Sequence, residues 1–181
     1  MTIMGHMMRT ERLVMRGWRE TDREPFAVLN ADPQVMEHFP EKLSREQSDA
    51  FADRIEAGFA ERGWGLWALE ADGVFIGYTG LQPVSFETHF TPAVEIGWRL
   101  ARGAWGRGYA SEAAAAVLRF GFEGGLPEII AVSHTNNEPS KAVMRRIGMT
   151  DHGVTDKWYD DPSALFVMTA EQWAETQPKS D

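Results

Sequence analysis

The chain has no cysteine, which removes disulfides, thiolate nucleophiles and Cys-based metal sites from its chemistry. Histidine is sparse: His6, His38, His89, His134 and His152 are the five. No two of them stand at ligand spacing on one helix, so the sequence offers no metal site. No apolar run approaches the ~20 residues that span a bilayer, and Met1 to Met8 lacks the apolar core of a signal peptide. Positive charge is short, with 18 Lys and Arg against 27 Asp and Glu and a net charge of −9. That balance argues against coating nucleic acid and suits a cationic acceptor, and it is also ordinary for a soluble protein. Repeats, linkers and low-complexity stretches are also missing. These absences lead to the expectation of a cytoplasmic protein that works without metal, nucleic acid or membrane; for assembly, a monomer and a homodimer both stay open.

What is present is enough apolar material, 43% of 181 residues, for one domain with a substantial core. Residues 1–8 read as an N-terminal extension, in which Gly5-His6-Met7 is a vector scar or an upstream start. Residues 9–175 form the domain and 176–181 a tail.

Along the chain, Glu11 to Trp18 is a strand expectation, and Thr21 or Asp22 offers an N-cap for a short helix reaching Asn30. Asp32-Pro33 breaks it. Ser44-Arg45-Glu46-Gln47 has the form of a capping box, opening a helix that Gly63 stops. Trp64 to Glu70 and Val74 to Leu81 flank Ala71-Asp72-Gly73, a hairpin signal. Pro83 to Pro92 reads as a loop. From Ala93 to Leu100 the period is two: Val94, Ile96, Trp98 and Leu100 share one face, and Glu95, Gly97 and Arg99 the other. Tyr109 to Glu123 carries an alanine-rich apolar stripe, with Glu112, Arg119 and Glu123 free to face water. Ile129 to Val132 is a buried-strand run, so the order strand–helix–strand implies a parallel pair. Asn137 caps a helix with Pro139 in its first turn and Gly148 at its close. Met149 to Val154 and Ala164 to Thr169 are the last strands, with Asp160-Asp161-Pro162 as a turn between them.

The stretch of most chemical interest is Trp105-Gly106-Arg107-Gly108-Tyr109-Ala110, between a strand and a helix. Two close glycines allow a tight turn with bare N–H groups. The helix behind them adds unpaired N–H groups and a partial positive charge, and Arg107 adds a full one. Read together these make an anion cradle; glycines that only punctuate a loop are the other reading. It lacks the Lys-Ser/Thr pair of the mononucleotide P-loop, and Ser111 stands where the dinucleotide fingerprint needs its third glycine.

Glu95-Ile96-Gly97-Trp98-Arg99-Leu100 followed by Trp105 to Ala113 resembles the acetyl-CoA site of the GCN5-related N-acetyltransferase (GNAT) superfamily. Within it, the chain is most similar to the ribosomal-protein N-terminal acetyltransferases of the RimJ/RimL type. Gly108 and Ala110 match the signature Q/R-x-x-G-x-G/A, and Trp105 replaces the Gln or Arg, as is common in that branch. Asn137-Glu138-Pro139-Ser140 through Gly148-Met149 resembles the family's second cofactor segment. The resemblance implies an α/β GNAT fold, a mixed twisted sheet with helices on both faces. It also implies transfer of an acetyl group from acetyl-CoA, as co-substrate, to a primary amine by direct attack. The amine is a protein N-terminus on the branch resemblance; a polyamine, aminoglycoside or amino-acid derivative is the alternative, and a non-catalytic acetyl-CoA sensor is a further one. Cofactor contacts are implied for Ile96, Trp98, Leu100, Trp105, Gly106, Arg107, Gly108, Tyr109, Ala110, Asn137 and Met144.

Direct attack needs a base for the ammonium, donors for the oxyanion and a proton for the departing thiolate. Glu95 is the expected base, with open space beside it at Gly97; pairing with Arg99 or another cation, or anchoring of the acceptor ammonium, are its other readings. Backbone N–H groups along Ile96 to Trp98 are the expected oxyanion donors. The resemblance implies Ser140 as the acid, Met144 standing where many superfamily members carry Tyr; a bond from Ser140 to its own helix backbone is its other reading, and Tyr109 and Tyr159 stay open as alternatives. The resemblance implies a place near the acceptor pocket for Phe86 and His89; an ordinary loop position is their other reading.

Overall fold

The computed structural model describes residues 7–84, 91–158 and 161–178. Its strands are β1 (Met8–Arg9), β2 (Leu13–Arg16), β3 (Leu66–Ala71), β4 (Val74–Pro83), β5 (Val94–Leu100), β6 (Glu128–His134), β7 (Thr150–Trp158) and β8 (Asp161–Thr169). They form one sheet in the order β1-β2-β3-β4-β5-β6-β8-β7. The helices are α1 (Arg23–Ala31), α2 (Arg45–Arg62), α3 (Tyr109–Glu123), α4 (Glu138–Arg146) and α5 (Ala170–Thr176). Neighbouring strands are antiparallel except β5 and β6, which run parallel and meet at one residue pair, Glu95 and Ile130. The expected α/β fold, a mixed sheet with helices on both faces, is the fold observed.

Strand parity distributes the core. Leu13, Trp67, Leu69, Leu81, Ile96, Leu100, Ile129 and Ala131 face the alanine stripe of α3 and Val143 and Met144 of α4 in the main cluster. A second cluster lies on the other face, where Phe26 and Leu29 of α1 and Ala52 and Ile55 of α2 cover Leu66 and Tyr78. The small side chains Ala113 and Ala114, both 0% exposed, let α3 approach the strands closely. The hairpin expected at Ala71-Asp72-Gly73 forms with φ 50° at Asp72 and 78° at Gly73, the two positive angles that match strand twist. The capping box opens α2: Ser44 Oγ accepts from Gln47 N–H, and Gln47 Oε1 from Ser44 N–H.

Four local expectations change. The Glu11–Trp18 strand is a turn plus β2, because Glu112 of α3 accepts from Thr10 Oγ1 and Arg12 N–H and pins residues 10–12 away from the sheet. Asp22 does precede α1, but its carboxylate is buried against Arg16 at 2.8 and 2.9 Å and accepts from Arg19 N–H. Ion pairing takes the oxygens that a cap would use. Asp161-Pro162 belongs to β8. Finally, α5 follows β8 where no helix is expected, opened by a capping box of Thr169 and Gln172.

Candidate active site

The glycine turn begins with a short 3₁₀ segment at Arg102–Ala104. Trp105 then folds back, its indole N–H donating to Leu100 C=O at 2.9 Å, with Arg102 4.8 Å from its ring centroid. Gly106 and Gly108 have φ of 75° and 77°, angles that L side chains rarely adopt. Gly108 is the N-cap of α3, and the first intrahelical bond runs from Glu112 N–H to Gly108 C=O. The N–H groups of Tyr109, Ala110 and Ser111 precede it, pointing out of the helix end. Arg107 is exposed, and its side chain enters no ion pair among the described residues. These groups fit a diphosphate: bare N–H donors, a helix N-terminus and one uncommitted cation.

Arg12 straps this turn from outside. It donates from Nη1 to Arg107 C=O at 2.8 Å, meets the Glu112 carboxylate at 2.6 Å and covers the Tyr109 ring at 4.8 Å. Glu112 therefore faces Arg12 rather than open water. Its burial works against the charge, yet bonds from Thr10 and Arg12 outweigh that and hold its carboxyl below the ordinary range. Tyr109 is buried in the main core.

On the opposite face of β5 lies Glu95. It is 9% exposed and accepts from Gln82 Nε2 at 3.0 Å, its cross-strand neighbour on β4. No cation among the described residues comes within ion-pair distance of it. Burial pushes its carboxyl up to about 7, against the smaller downward pull of the Gln82 bond. A pairing with Arg99 is not formed. Beside Glu95, a Cβ placed on Gly97 would meet nothing within 4 Å, so the space there is open.

Backbone phase identifies the free donors. Val84 N–H bonds Ala93 C=O, and Ala101 N–H bonds Ile76 C=O. Alternation between these two bonds turns the backbones of Glu95, Gly97 and Arg99 toward β4 and the N–H groups of Ile96, Trp98 and Leu100 toward β6. Because β6 meets β5 only at Glu95 and Ile130, the Ile96 N–H is taken up in that pairing. The Trp98 N–H lies past it, where the strands part. The Ile96 and Leu100 side chains are in the main core, and Trp98 packs against it. These residues offer the site their backbones.

Helix α4 starts beyond β6. Asn137 Oδ1 accepts from Ser140 N–H at 3.1 Å, an N-cap bond. The Ser140 hydroxyl is half-buried and takes no hydrogen bond among the described residues. Met144 is 2% exposed within the core, so it supports α4 from behind. Arg146 Nη1 donates to Ser111 Oγ at 2.9 Å and ties α4 to the first turn of α3. Sequence reading missed Arg12, Gln82 and Arg146, whose partners are distant in the chain; only the register of β4 on β5 could have brought out Gln82. Phe86, His89 and Tyr159 lie outside the described residues. A cleft of ≈ 340 Å³ stands apart from the strand divide, lined by Ala71, Val74, Ala101, Arg107 and Tyr109 among others.

Residues 12–150 match the family model described as Acetyltransferase (GNAT) domain. Among curated proteins, the FsC-acetyl coenzyme A-N(2)-transacetylase of Aspergillus fumigatus is 30% identical over 191 residues, covering 96% of this chain and 80% of that one. Among solved structures, a GNAT-family acetyltransferase from Bacillus anthracis superposes with a TM-score of 0.77 at 27% identity, over 92% of this chain and 99% of the other. RimL, a ribosomal L7/L12 alpha-N-protein acetyltransferase in complex with coenzyme A, shares the fold with a TM-score of 0.73 at 16% identity, over 91% and 98% of the two chains.

Proposed function

Because the chain belongs to the GNAT acetyltransferase family and is an acetyl-CoA-dependent N-acetyltransferase, we propose that Glu95 is the base for direct attack by a primary amine in a ternary complex. The observation that carries this is the environment of Glu95: a buried carboxylate with no counter-cation, beside open space, at the last residue pair before β5 and β6 part. A carboxyl near 7 is placed to accept an ammonium proton at neutral pH, which an ordinary carboxylate does poorly.

Acetyl-CoA supplies the acetyl group as a thioester when bound. The N–H groups of Tyr109, Ala110 and Ser111, with Arg107 and the turn at Gly106 and Gly108, are the groups to hold its diphosphate; Trp105 and Asn137 flank that path. The Trp98 N–H is the donor toward a developing oxyanion. The unengaged Ser140 hydroxyl is the proton donor for the leaving sulfur.

The acceptor we favour is a peptide N-terminal amine, in keeping with the resemblance to the RimJ/RimL type and the shared fold of RimL. A small-molecule amine is the second reading, favoured by the 30% identical transacetylase whose name specifies an N(2) nitrogen. CoA thiol release against peptides beginning Ala, Ser or Met, polyamines and aminoglycosides separates them. Turnover confined to peptides supports the first reading, and turnover confined to small amines replaces it with the second. No turnover with any primary amine removes both.

A further inference from the structure

Glu95 shares its face of β5 with a second buried charge. Arg99 is 8% exposed. Its guanidinium carbon lies 4.0 Å from the ring centroid of Phe39, 5.5 Å from Tyr78 and 5.7 Å from Phe51. Nη1 donates to Asn30 Oδ1 at 2.6 Å, and Asn30 Nδ2 in turn donates to Ser48 Oγ. Asparagine is neutral. Arg99 Nε is buried with no acceptor, and no carboxylate among the described residues stands within ion-pair distance of the guanidinium. Three aromatic rings offset part of the cost of burying a cation, but a buried charge ordinarily has a counter-charge, and an unmade donor is costly. Among the described residues there is neither a carboxylate beside the guanidinium nor an acceptor for Nε.

Between Arg99 and Glu95 the strand carries only Gly97, above which the space is open. A strand rise of ~3.3 Å per residue puts the Cα atoms of Glu95 and Arg99 on the order of 13 Å apart. The connection between α1 and α2 lies along this strip. Phe39, 39% exposed, covers Arg99, and His38 stacks on His134 at the end of β6 with centroids 6.1 Å apart. One short segment thus touches both strands beyond the point where they separate.

We propose that the strip from Glu95 to Arg99 is the acceptor site and that Arg99 binds a carboxylate on the acceptor. The substrate class is then an extended, amino-acid-derived amine: its nitrogen meets Glu95, and its carboxylate, several bonds away, meets the guanidinium. This rests on Glu95 being the acceptor-side base. Charge and geometry agree on it, because the ligand brings a cation to the unpaired carboxylate and an anion to the unpaired guanidinium. Arg99 needs its own acceptor-side anion for the same reason that Glu95 needs an ammonium.

The test compares a tripeptide with a free C-terminal carboxylate against its C-terminal amide. Two readouts are used: kcat/KM for acetylation, and calorimetric titration of the two N-acetylated products in the presence of CoA. Wild type is expected to favour the acid by roughly 10- to 100-fold, the effect of one charge-assisted pair. Arg99→Met is expected to bring both ratios to about one. Since loss of a buried arginine can unfold the chain, Asn30→Asp is the companion variant. It places an internal carboxylate where Asn30 Oδ1 now accepts from Arg99 at 2.6 Å, keeps the guanidinium in place and is expected to lower the acid preference without loss of thermal stability. Equal handling of acid and amide by wild type, or a preference that survives both substitutions, overturns the proposal. Turnover without acid preference leaves acetyl transfer standing and removes the Arg99 site. An Arg99-dependent preference in titration with no turnover of any amine keeps the Arg99 site and removes the acceptor reading of Glu95.

Discussion

A carboxylate held near 7 is a destabilising feature of the folded chain, and the sign is testable. In the unfolded chain Glu95 releases its proton near its ordinary 4.5, in the folded chain near 7. Between those values the folded state binds more protons, so stability falls as pH rises and the loss is complete above about 7. The shift corresponds to a cost on the order of 3 kcal/mol at high pH. Glu95→Gln keeps the shape and the Gln82 contact region but has no charge to bury. Its thermal midpoint is expected to exceed that of wild type above pH 7 and to converge with it near pH 5; a lower midpoint across the whole range would contradict the burial argument. The position of Glu95 was legible from the alternation along Ala93 to Leu100. Its partner was not, since Gln82 reaches it through the β4–β5 register, and neither were Asn30 and Arg12, whose bonds join segments far apart in the chain.

At the scale of elements, the informative signals were the ones with local physics. Ser44 and Gln47 specify the start of α2 and Gly63 its end at φ 77°. Ser44→Ala is expected to lower stability by about 1 kcal/mol and leave kcat unchanged, as read by denaturant unfolding and initial rates. Gly108 is different, because it caps α3 and belongs to the proposed diphosphate cradle. Gly108→Ala forces a side chain to φ 77° at a cost of about 1 kcal/mol. It is expected to weaken acetyl-CoA binding in calorimetry while sparing the other helices; unchanged affinity would separate the turn from the cofactor. Helix α5 was overlooked although Thr169-Ala170-Glu171-Gln172 is the same capping pattern as at Ser44. Its seven residues are too few for an apolar period to stand out. Asp22 does stand at the N-cap position of α1 but makes no side-chain cap bond, because its oxygens are engaged by the Arg16 guanidinium and the Arg19 N–H.

The whole molecule is a sheet that divides between β5 and β6, with α3 and α4 on one face and the buried Glu95 and Arg99 on the other. The crossover order made a parallel pair legible in the sequence, but its reduction to one residue pair was not, because strand divergence is set by packing on both faces. In the proposed mechanism the cofactor groups and Glu95 lie on opposite faces of β5, so direct attack requires both substrates bound together. Initial-rate patterns are therefore expected to intersect in double-reciprocal form, and parallel lines would point to an acyl-enzyme that this geometry does not support. The most direct measurement is the pH profile of kcat/KM for the best amine found, in wild type and in Glu95→Gln, with acetyl-CoA affinity followed in parallel. The expected result is a rise through an inflection near 7 in wild type, a rate roughly 10²- to 10⁴-fold lower without that inflection in Glu95→Gln, and equal affinity for acetyl-CoA. A variant that retains both the rate and the inflection would show that the proton leaves the amine by another route.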